Sequence, residues 1–142
     1  MSRLKLELAP NVRELSRIRP ELRAYLSEQI SDEVMFTVEF ALEEVFTNIV
    51  HHGYAEVAPG EAILLEVGLV GNQVLLQLDD RGTAYDPNFH PPAAPQESLA
   101  DAADGERGID LVRQLADRID YRSQAGVNRL EMWLPAQVSG LE

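Results

Sequence analysis

The stretch FALEEVFTNIVHHGY, residues 40–54, mixes acidic, amide and imidazole side chains with apolar ones. Residues three or four apart lie on the same face of an α-helix. At this spacing the segment and the residues just before it carry one apolar stripe, formed by Val34, Val38, Ala41, Leu42, Val45 and Ile49. The stretch therefore predicts an amphipathic helix whose stripe faces a hydrophobic core.

Two polar residues of this helix lie on the border of the apolar stripe. Glu44 and Asn48 are four residues apart and stack one turn above the other, whereas Glu43 points toward the far side. A carboxylate at the edge of a core can accept a proton, and an amide oxygen is a neutral ligand suited to Mg²⁺. The same pair also occurs on ordinary solvated helix flanks, so the motif alone leaves both interpretations open.

The two histidines at the end of the stretch have the weaker functional case. His51 and His52 are adjacent in sequence and lie about 100° apart on a helix, so they cannot readily bind one metal ion together. A role at the helix end, in packing or with the helix dipole, is favoured over metal ligation.

Composition limits the class of protein. The chain has 142 residues, of which 45% are hydrophobic and 25% are charged, which indicates a globular protein with one domain over residues 1–142. It has no cysteine, which excludes disulfides, thiolate zinc sites and cysteine nucleophiles. A formal net charge of -12 argues against a nucleic-acid partner.

The sequence carries no sign of a membrane segment. No apolar run approaches the length of about 18 residues that would span a bilayer. The N-terminus, MSRLKLELAP, is too short and too charged to be a secretory signal. We therefore expect a cytoplasmic location and no membrane partner.

The chain before the opening stretch predicts a strand and two helices. Alternating leucines in residues 3–9, RLKLELA, predict the strand. Asn11 and Glu14 have the spacing of a capping box, which opens a helix through about residue 29, and Pro20 is expected to kink or split it. Ser31 is expected to cap the second helix, which runs to Gly53.

The chain after the opening stretch predicts four more strands and a third helix. Residues 61–80 read as a hairpin that turns at Gly71-Asn72, a pair suited to positive φ. Residues 108–119 have helical spacing at Ile109, Val112, Leu115 and Ile119, and two strands, IDYRSQ and NRLEMWLP, follow around Gly126. The order β-α-α-β-β-α-β-β predicts an α+β fold in two layers, with a mixed, mainly antiparallel sheet of about five strands and helices on one face.

A proline-rich segment separates the hairpin from the third helix. Residues 85–108 contain Pro87, Pro91, Pro92 and Pro95. Proline removes backbone donors, and loops of this length are usually functional lids or disordered linkers. Too little chain follows to form a second domain, which favours a lid.

An acidic glycine turn ends the hairpin. Val74, Leu76 and Leu78 share one face of the strand, and period two places Asp80 on the same inward face. An unpaired buried carboxylate is costly, so Asp80 needs a partner, and a ligand amino group would serve. Gly82 would let the backbone approach a flat ligand, and Asp86 could cap the turn or enter the site. A plain Asp-x-Gly loop remains the alternative.

Glycines also stand between the proline-rich segment and the third helix. Gly105 and Gly108 lie ahead of the apolar helical pattern, where backbone N–H groups and the helix dipole can hold a phosphate. Arg107 could add a charge-assisted contact. The commoner alternative is a glycine-bounded loop with no ligand.

Taken together and in order, three segments resemble the conserved boxes of the GHKL (Bergerat-fold) ATPases. EEVFTN, residues 43–48, resembles the N box; DDRGTAYD, residues 79–86, resembles the first glycine box; and GERGIDLV, residues 105–112, resembles the second. The resemblance is closest to the small anti-sigma-factor serine/threonine kinases and covers nearly the whole chain. It implies a Bergerat-type two-layer sandwich with residues 85–108 as the ATP lid.

The resemblance implies a role for each matched residue. Glu44 would be the catalytic base, Asn48 the Mg²⁺ ligand, and Asp80, supported by Gly82, the partner of the adenine amino group. The phosphates would lie along Gly105, Arg107 and Gly108. The remaining candidates for nucleotide binding are Asp86, Ile109 and Asn128.

Two positions depart from the family pattern. Glu106 stands where many members have a further glycine, which puts an acid near the phosphates unless it points outward. Asn128 stands where classical members have a threonine, although an asparagine can still donate a hydrogen bond.

The resemblance also implies a function. It implies Mg-ATP as cofactor, a homodimer, phosphorylation of a serine or threonine on a STAS-type anti-anti-sigma protein, and competitive capture of a sigma factor. The sequence has neither a G-x-x-x-x-G-K-[ST] loop nor a eukaryotic-type kinase signature. A second hypothesis is a non-catalytic module that binds ATP as a conformational ligand, although such a module has no need of the base Glu44.

Overall fold

The computed structural model describes residues 3–54, 61–89 and 104–137. Its elements follow the predicted order, and their bounds are β1 (Leu4–Leu8), α1 (Glu14–Leu26), α2 (Asp32–Asn48), β2 (Ile63–Val70), β3 (Gln73–Asp80), α3 (Asp104–Leu115), β4 (Arg118–Gln124) and β5 (Val127–Pro135). Two short segments complete the list, a π-helix at Ile49–Gly53 and a 3₁₀ turn at Pro87–Phe89. None of the helices in these ranges combines the length and the hydrophobicity of a membrane-spanning segment.

The sheet has five strands in the order β1-β2-β3-β5-β4. Every pairing between neighbouring strands is antiparallel. The prediction of a mixed sheet is therefore wrong, and its mainly antiparallel character extends to all four pairings. Tight turns join β2 to β3 and β4 to β5, and strands joined in this way must run in opposite directions. The predicted α+β class and the number of strands are confirmed.

One face of the sheet carries the core. Cross-strand pairs such as Leu6 with Leu65 and Leu65 with Leu78 place leucines of three adjacent strands on the same side. The predicted stripe of α2 packs against this side, and Val38 and Ala41 are fully buried there. The fold is therefore a two-layer arrangement with the helices on one face.

The start of α1 differs from the predicted capping box. Asn11 Oδ1 accepts a hydrogen bond from the Arg13 N–H (2.9 Å), and Glu14 Oε1 accepts one from the Ala9 N–H (2.9 Å). These bonds hold the turn that precedes the helix, which therefore begins at Glu14 and ends at Leu26. Pro20 is exposed and lies within this continuous helix, so it does not split it.

The start of α2 agrees with the prediction, and its end has a different geometry. Ser31 Oγ accepts a hydrogen bond from the Val34 N–H (3.1 Å), as expected for an N-cap. Helical structure continues to Gly53 as predicted, but the last turn, Ile49–Gly53, is a π-helix. A π-turn is wider than an α-turn and re-aims the residues that follow it.

The other boundaries follow from local backbone conformation. In the β2–β3 turn only Gly71 has a positive φ (59°). In the β4–β5 turn both Ala125 (54°) and Gly126 (79°) have one. The prediction that the third helix reaches Ile119 is wrong: α3 ends at Leu115, and Ile119 lies in β4.

Candidate nucleotide-binding and catalytic site

The three predicted boxes meet at one end of the sheet. The C-terminal end of α2 reaches this end, β3 finishes there at Asp80, and Asp80 is paired across the sheet with Asn128 of β5. Helix α3 packs against α2 and starts at the same end. The sequence segments that resemble nucleotide-binding boxes are therefore brought together in space.

Glu44 and Asn48 occupy the border of the core, as predicted. Asn48 is only 4% exposed and Glu44 is half-buried, whereas Glu43 is exposed. Asn48 Nδ2 donates to the Glu44 carbonyl oxygen (2.7 Å). Within the described residues, this bond leaves Asn48 Oδ1 without a protein partner. An amide oxygen held in this way fits the part of a Mg²⁺ ligand.

The structure shows no preformed metal cluster in the residues that it describes. No group of three His, Asp or Glu side chains is close enough there to hold a metal ion. Mg²⁺ commonly uses one or two protein ligands, with water and substrate phosphates completing its octahedron. Among the described residues, Asn48 therefore fits the part of a protein ligand to a Mg²⁺ that arrives with a nucleotide.

Gly108 brings α3 into contact with the predicted base. A Cβ atom at Gly108 would overlap the carboxylate of Glu44. Any larger residue at position 108 would therefore displace either the carboxylate or the helix. Sequence reasoning did not find this contact, because it joins residues 64 positions apart in two different boxes.

The helix start corrects the predicted glycine loop. Helix α3 begins at Asp104, so Gly105 and Gly108 lie within its first two turns and not ahead of it. The first N–H groups of a helix have no partner inside it, so a phosphate at this point would meet helical N–H groups. The side chains of Glu106 and Arg107 and most of the segment predicted to form a lid, residues 85–108, lie outside the described residues.

Asp80 points inward at the end of β3, as predicted. It is 5% exposed, and its Oδ1 accepts hydrogen bonds from the Gly82 N–H (2.9 Å) and from Asn128 Nδ2 (2.9 Å). Burial raises the pKa of the Asp80 carboxyl above its ordinary value, while these two hydrogen bonds act in the opposite direction. Since both bonds fall on Oδ1, Oδ2 is the oxygen that a ligand amino group would meet.

The turn after Asp80 is held by the π-helix and by Tyr54, which directly follows it. The Arg81 N–H donates to the Tyr54 hydroxyl (3.0 Å), and the Thr83 N–H donates to the Gly53 carbonyl oxygen (2.7 Å). A Cβ atom at Gly82 would lie 2.5 Å from the Gly53 oxygen. Close packing against the π-helix therefore already requires glycine at position 82, apart from any role in approaching a ligand.

Asn128 joins the strand and the turn. Its Nδ2 donates both to Asp80 Oδ1 (2.9 Å) and to the Gly82 carbonyl oxygen (2.8 Å), and its Oδ1 accepts from Ser123 Oγ (2.6 Å). An amide nitrogen has two hydrogens, so both are donated within the protein.

Aromatic side chains border the site beside Asn48. Tyr85 donates its backbone N–H to the Tyr121 hydroxyl (2.9 Å) and stacks its ring on His52, with ring centroids 4.3 Å apart and planes 4° from parallel. A cavity of about 10 Å³ lies here, lined by Val45, Asn48, Ile49, Tyr85, Pro87, Ile109, Tyr121 and Leu130. This volume matches one water molecule, so a nucleotide base would enter only if these segments separate.

Asp86 caps a turn in this structure. Its Oδ1 accepts a hydrogen bond from the Asn88 N–H (2.9 Å) at the start of the Pro87–Phe89 turn. This is one of the two roles that the sequence left open for it. Ile109 is 1% exposed and contributes an apolar wall to the small cavity.

A larger cavity lies away from these boxes. Its volume is about 420 Å³, and it is lined by Lys5, Leu6, Glu7, Leu64, Leu65, Glu66, Gln77, Asp79 and Arg129. Most of these residues belong to the sheet face opposite the helices, where Arg129 binds Asp79 through two hydrogen bonds of 2.9 Å each. Because Arg129, Asp79, Lys5 and Glu66 are already engaged in ion pairs, size alone does not identify it as the functional site.

Comparisons with known proteins give the same assignment as the boxes. Residues 8–134 match the family described as the histidine kinase-like ATPase domain. The serine/threonine-protein kinase BtrW of Bordetella bronchiseptica is 33% identical over 109 residues, which cover 75% of this chain and 75% of that protein. The serine-protein kinase RsbW of Oceanobacillus iheyensis is 28% identical over 101 residues, which cover 68% of this chain and 63% of that protein.

Solved structures share the fold. The RsbU and RsbW domains of Rv1364c from Mycobacterium tuberculosis match with a TM-score of 0.60 at 22% identity, covering 96% of this chain and 34% of that chain. The blue-light activated histidine kinase of Erythrobacter litoralis EL346 matches with a TM-score of 0.51 at 15% identity, and the match covers 75% of this chain and 32% of that chain. This chain thus spans about a third of either solved chain, and the likeness shows the fold alone.

The family predicted from the boxes is thereby confirmed, and both named relatives are protein kinases of the expected type. The chain belongs to the family of histidine kinase-like ATPase domains.

Proposed function

We propose that this chain is an ATP-dependent serine/threonine protein kinase of a partner-switching system. The observation that carries the proposal is the contact between α2 and α3, where the Glu44 carboxylate lies against Gly108 and one helical turn from Asn48. In this proposal Glu44 would serve as the proton acceptor and Asn48 as the Mg²⁺ ligand, on one helix and next to the helix start that would meet phosphates. The names of the two relatives support the same activity.

The nucleotide would be held at three points. Asp80 would accept a hydrogen bond from the adenine amino group, and the first N–H groups of α3 would meet the phosphates. Asn48 would bind Mg²⁺, which supplies charge neutralisation across the phosphates when bound. In this proposal Gly82, Asp86 and Ile109 support the base-binding wall, and residues 85–108 form the lid.

Glu44 would act on the protein substrate. Its carboxylate would accept the proton of the incoming serine or threonine hydroxyl, whose oxygen forms a bond to the γ-phosphorus while the bond to the β–γ bridging oxygen breaks. ADP leaves, and the phosphate remains on the substrate protein. The contact with Gly108 would fix the carboxylate, because positioning supplies much of the rate in phosphoryl transfer.

The partners follow from the family resemblance. We infer that the substrate is a STAS-type anti-anti-sigma protein, that the chain acts as a homodimer in the cytoplasm, and that it captures a sigma factor when its substrate is phosphorylated. Residues 1–142 would act as one kinase domain. A non-catalytic ATP-binding module is the second candidate, and the half-buried border position of Glu44 favours the kinase over it.

A transfer assay separates the two candidates. The wild-type chain is incubated with γ-labelled ATP, Mg²⁺ and a candidate STAS protein, and label on the STAS protein is counted. Glu44→Ala should abolish transfer while nucleotide binding persists. Glu43→Ala, which alters the exposed neighbour on the same helix, is the matched control and should transfer normally. Nucleotide binding without transfer to any tested partner would support the non-catalytic module.

A further inference from the structure

The Asn128 amide has a single orientation that satisfies its neighbours. Two of them, Asp80 Oδ1 (2.9 Å) and the Gly82 carbonyl oxygen (2.8 Å), are acceptors, so the amide nitrogen must face them. The third, the Ser123 hydroxyl at 2.6 Å, donates to the amide oxygen. Asn128 is 3% exposed and Asp80 is 5% exposed, so the hydrogen bond between their side chains lies almost wholly out of solvent, whereas Ser123 at the other end of the network is exposed.

We propose that Asn128 is a positioning residue for Asp80 and thereby sets the preference of the site for adenine over guanine. It would do so by keeping the Asp80 carboxylate ionised, so that the carboxylate accepts a hydrogen bond from the group at position 6 of the base. This inference rests on the proposed role of Asp80 as the base ligand. With both amide hydrogens committed to the protein, Asn128 has none to donate to the base, and it therefore acts through Asp80 and through the Gly82 turn.

The chemistry of the two purines makes the protonation state of Asp80 decisive. Adenine carries an amino group at position 6, which donates to an ionised carboxylate. Guanine carries an oxo group at the same position. Against an ionised carboxylate this places two acceptor oxygens opposite each other, and they repel. A neutral carboxyl weakens this preference, because its O–H can donate to the oxo group of guanine while it can still accept from the amino group of adenine. Any change that neutralises Asp80 should therefore narrow the discrimination between ATP and GTP.

Asn128 opposes neutralisation of Asp80. Burial raises the pKa of Asp80, and the hydrogen bond from Asn128 is the largest influence in the opposite direction, followed by that from the Gly82 N–H. The neighbouring acid Asp79 on the same strand also raises the pKa. Two tyrosines on neighbouring segments, Tyr54 after the π-helix and Tyr121 on β4, lie near Asp80. Burial raises the pKa of both phenols, so neither tyrosine is charged at neutral pH.

The asparagine also does what a threonine at this position could not do. A threonine hydroxyl has one hydrogen and can serve either Asp80 or the Gly82 carbonyl oxygen, whereas the amide serves both at once. The Asp80 carboxylate and the glycine turn are thereby fixed relative to each other. The departure from threonine at position 128 thus has a structural consequence that the sequence did not reveal.

The test compares ATP and GTP binding by calorimetric titration over a range of pH. Asn128→Leu removes both donors at similar volume and should lower ATP affinity about tenfold or more, since a hydrogen bond to a charged group is lost. GTP affinity should fall less or rise, so that the ATP:GTP affinity ratio falls at least tenfold. The pH at which ATP binding is half-lost should also move upward. Asn128→Thr should be intermediate.

Controls keep the test decisive. Asn72→Ala, in the exposed turn between β2 and β3, should leave the ratio and the pH profile unchanged. If Asn128→Leu does not fold, Asn128→Thr and Ser123→Ala carry the test, and each should lower the ratio by a smaller factor.

Two outcomes would overturn the proposal in different ways. Equal losses of ATP and GTP affinity in the Asn128 variants, with an unmoved pH profile, would make Asn128 a merely structural residue. Unchanged ATP affinity in Asp80→Ala would instead remove the base-binding role of Asp80, and with it the nucleotide assignment under the proposed function.

Discussion

Replacing Gly108 by alanine tests the contact between the two helices that carry the site. The added methyl group would occupy the space of the Glu44 carboxylate, and overpacking of this kind costs about 1–3 kcal/mol. Position 108 lies inside α3, where alanine is favoured over glycine by about 1 kcal/mol. We therefore expect a net loss of about 0–2 kcal/mol in the free energy of unfolding, measured by urea denaturation.

The effect on catalysis should be larger than the effect on stability. A displacement of about 1 Å in a catalytic group can cost about a hundredfold in rate, and the methyl group forces Glu44 to move by a distance of this order. Single-turnover phosphoryl transfer should therefore slow about a hundredfold in Gly108→Ala. Nucleotide affinity should change much less, because Asp80 and Asn48 are untouched and alanine keeps the backbone N–H that residue 108 would offer to the phosphates.

A double-mutant cycle isolates the contact from the intrinsic preference of the helix. In a Glu44→Ala background the carboxylate is gone, so Gly108→Ala should be neutral or stabilising by up to about 1 kcal/mol. The reasoning fails if Gly108→Ala destabilises both backgrounds equally. It also fails if the single variant keeps full stability and the wild-type rate of transfer.

Four further outcomes are expected. Asp80→Asn should weaken ATP binding strongly in a calorimetric titration, and unchanged affinity would contradict the adenine assignment. Gly82→Ala should lower the free energy of unfolding by about 1–3 kcal/mol, because the methyl group meets the carbonyl oxygen of Gly53; a melting temperature equal to that of the wild type would show that the turn can relax. ATP affinity should rise as the pH rises through the raised pKa of Asp80, because the ionised carboxylate is the form that accepts from adenine. The free energy of unfolding of the free protein should fall over the same pH interval, since the folded state holds this proton more tightly than the unfolded state does. Asp80→Asn should remove both pH dependences, and a pH dependence that persists in this variant would have to come from another group. Asn48→Ala should weaken the dependence of nucleotide binding on Mg²⁺, and an unchanged Mg²⁺ titration would exclude it as the ligand.

Short-range periodicity accounts for what the sequence predicted well. The apolar stripe of α2 and the inward phase of Asp80 are set by repeats of 3.6 and 2 residues, which are properties of one segment at a time. For this reason the border position of Glu44, the exposed position of Glu43 and the burial of Asp80 could be predicted without knowing which segments are neighbours.

The features that were missed depend on pairing between segments or on a change of helical pitch. The register that sets Asn128 opposite Asp80 joins residues 48 positions apart, and nothing local indicates it. The π-helix at Ile49–Gly53 has the same composition as an α-helical turn, so its carbonyl contact with Thr83 could not be predicted. The start of α3 at Asp104 does not follow from the sequence, because glycine usually marks a helix boundary, whereas here Gly105 and Gly108 lie inside the helix and Gly108 packs closely against Glu44.

The central claim is that one nucleotide joins Asp80, Asn48 and Glu44 in a single site. A crystal structure with Mg²⁺ and a non-hydrolysable ATP analogue tests it most directly. We expect the adenine amino group at about 2.9 Å from Asp80 Oδ2. We also expect Mg²⁺ at about 2.1 Å from Asn48 Oδ1 and the γ-phosphate on the side of the Glu44 carboxylate. A nucleotide bound with its base away from Asp80, or with its metal held by residues other than Asn48, would contradict the account.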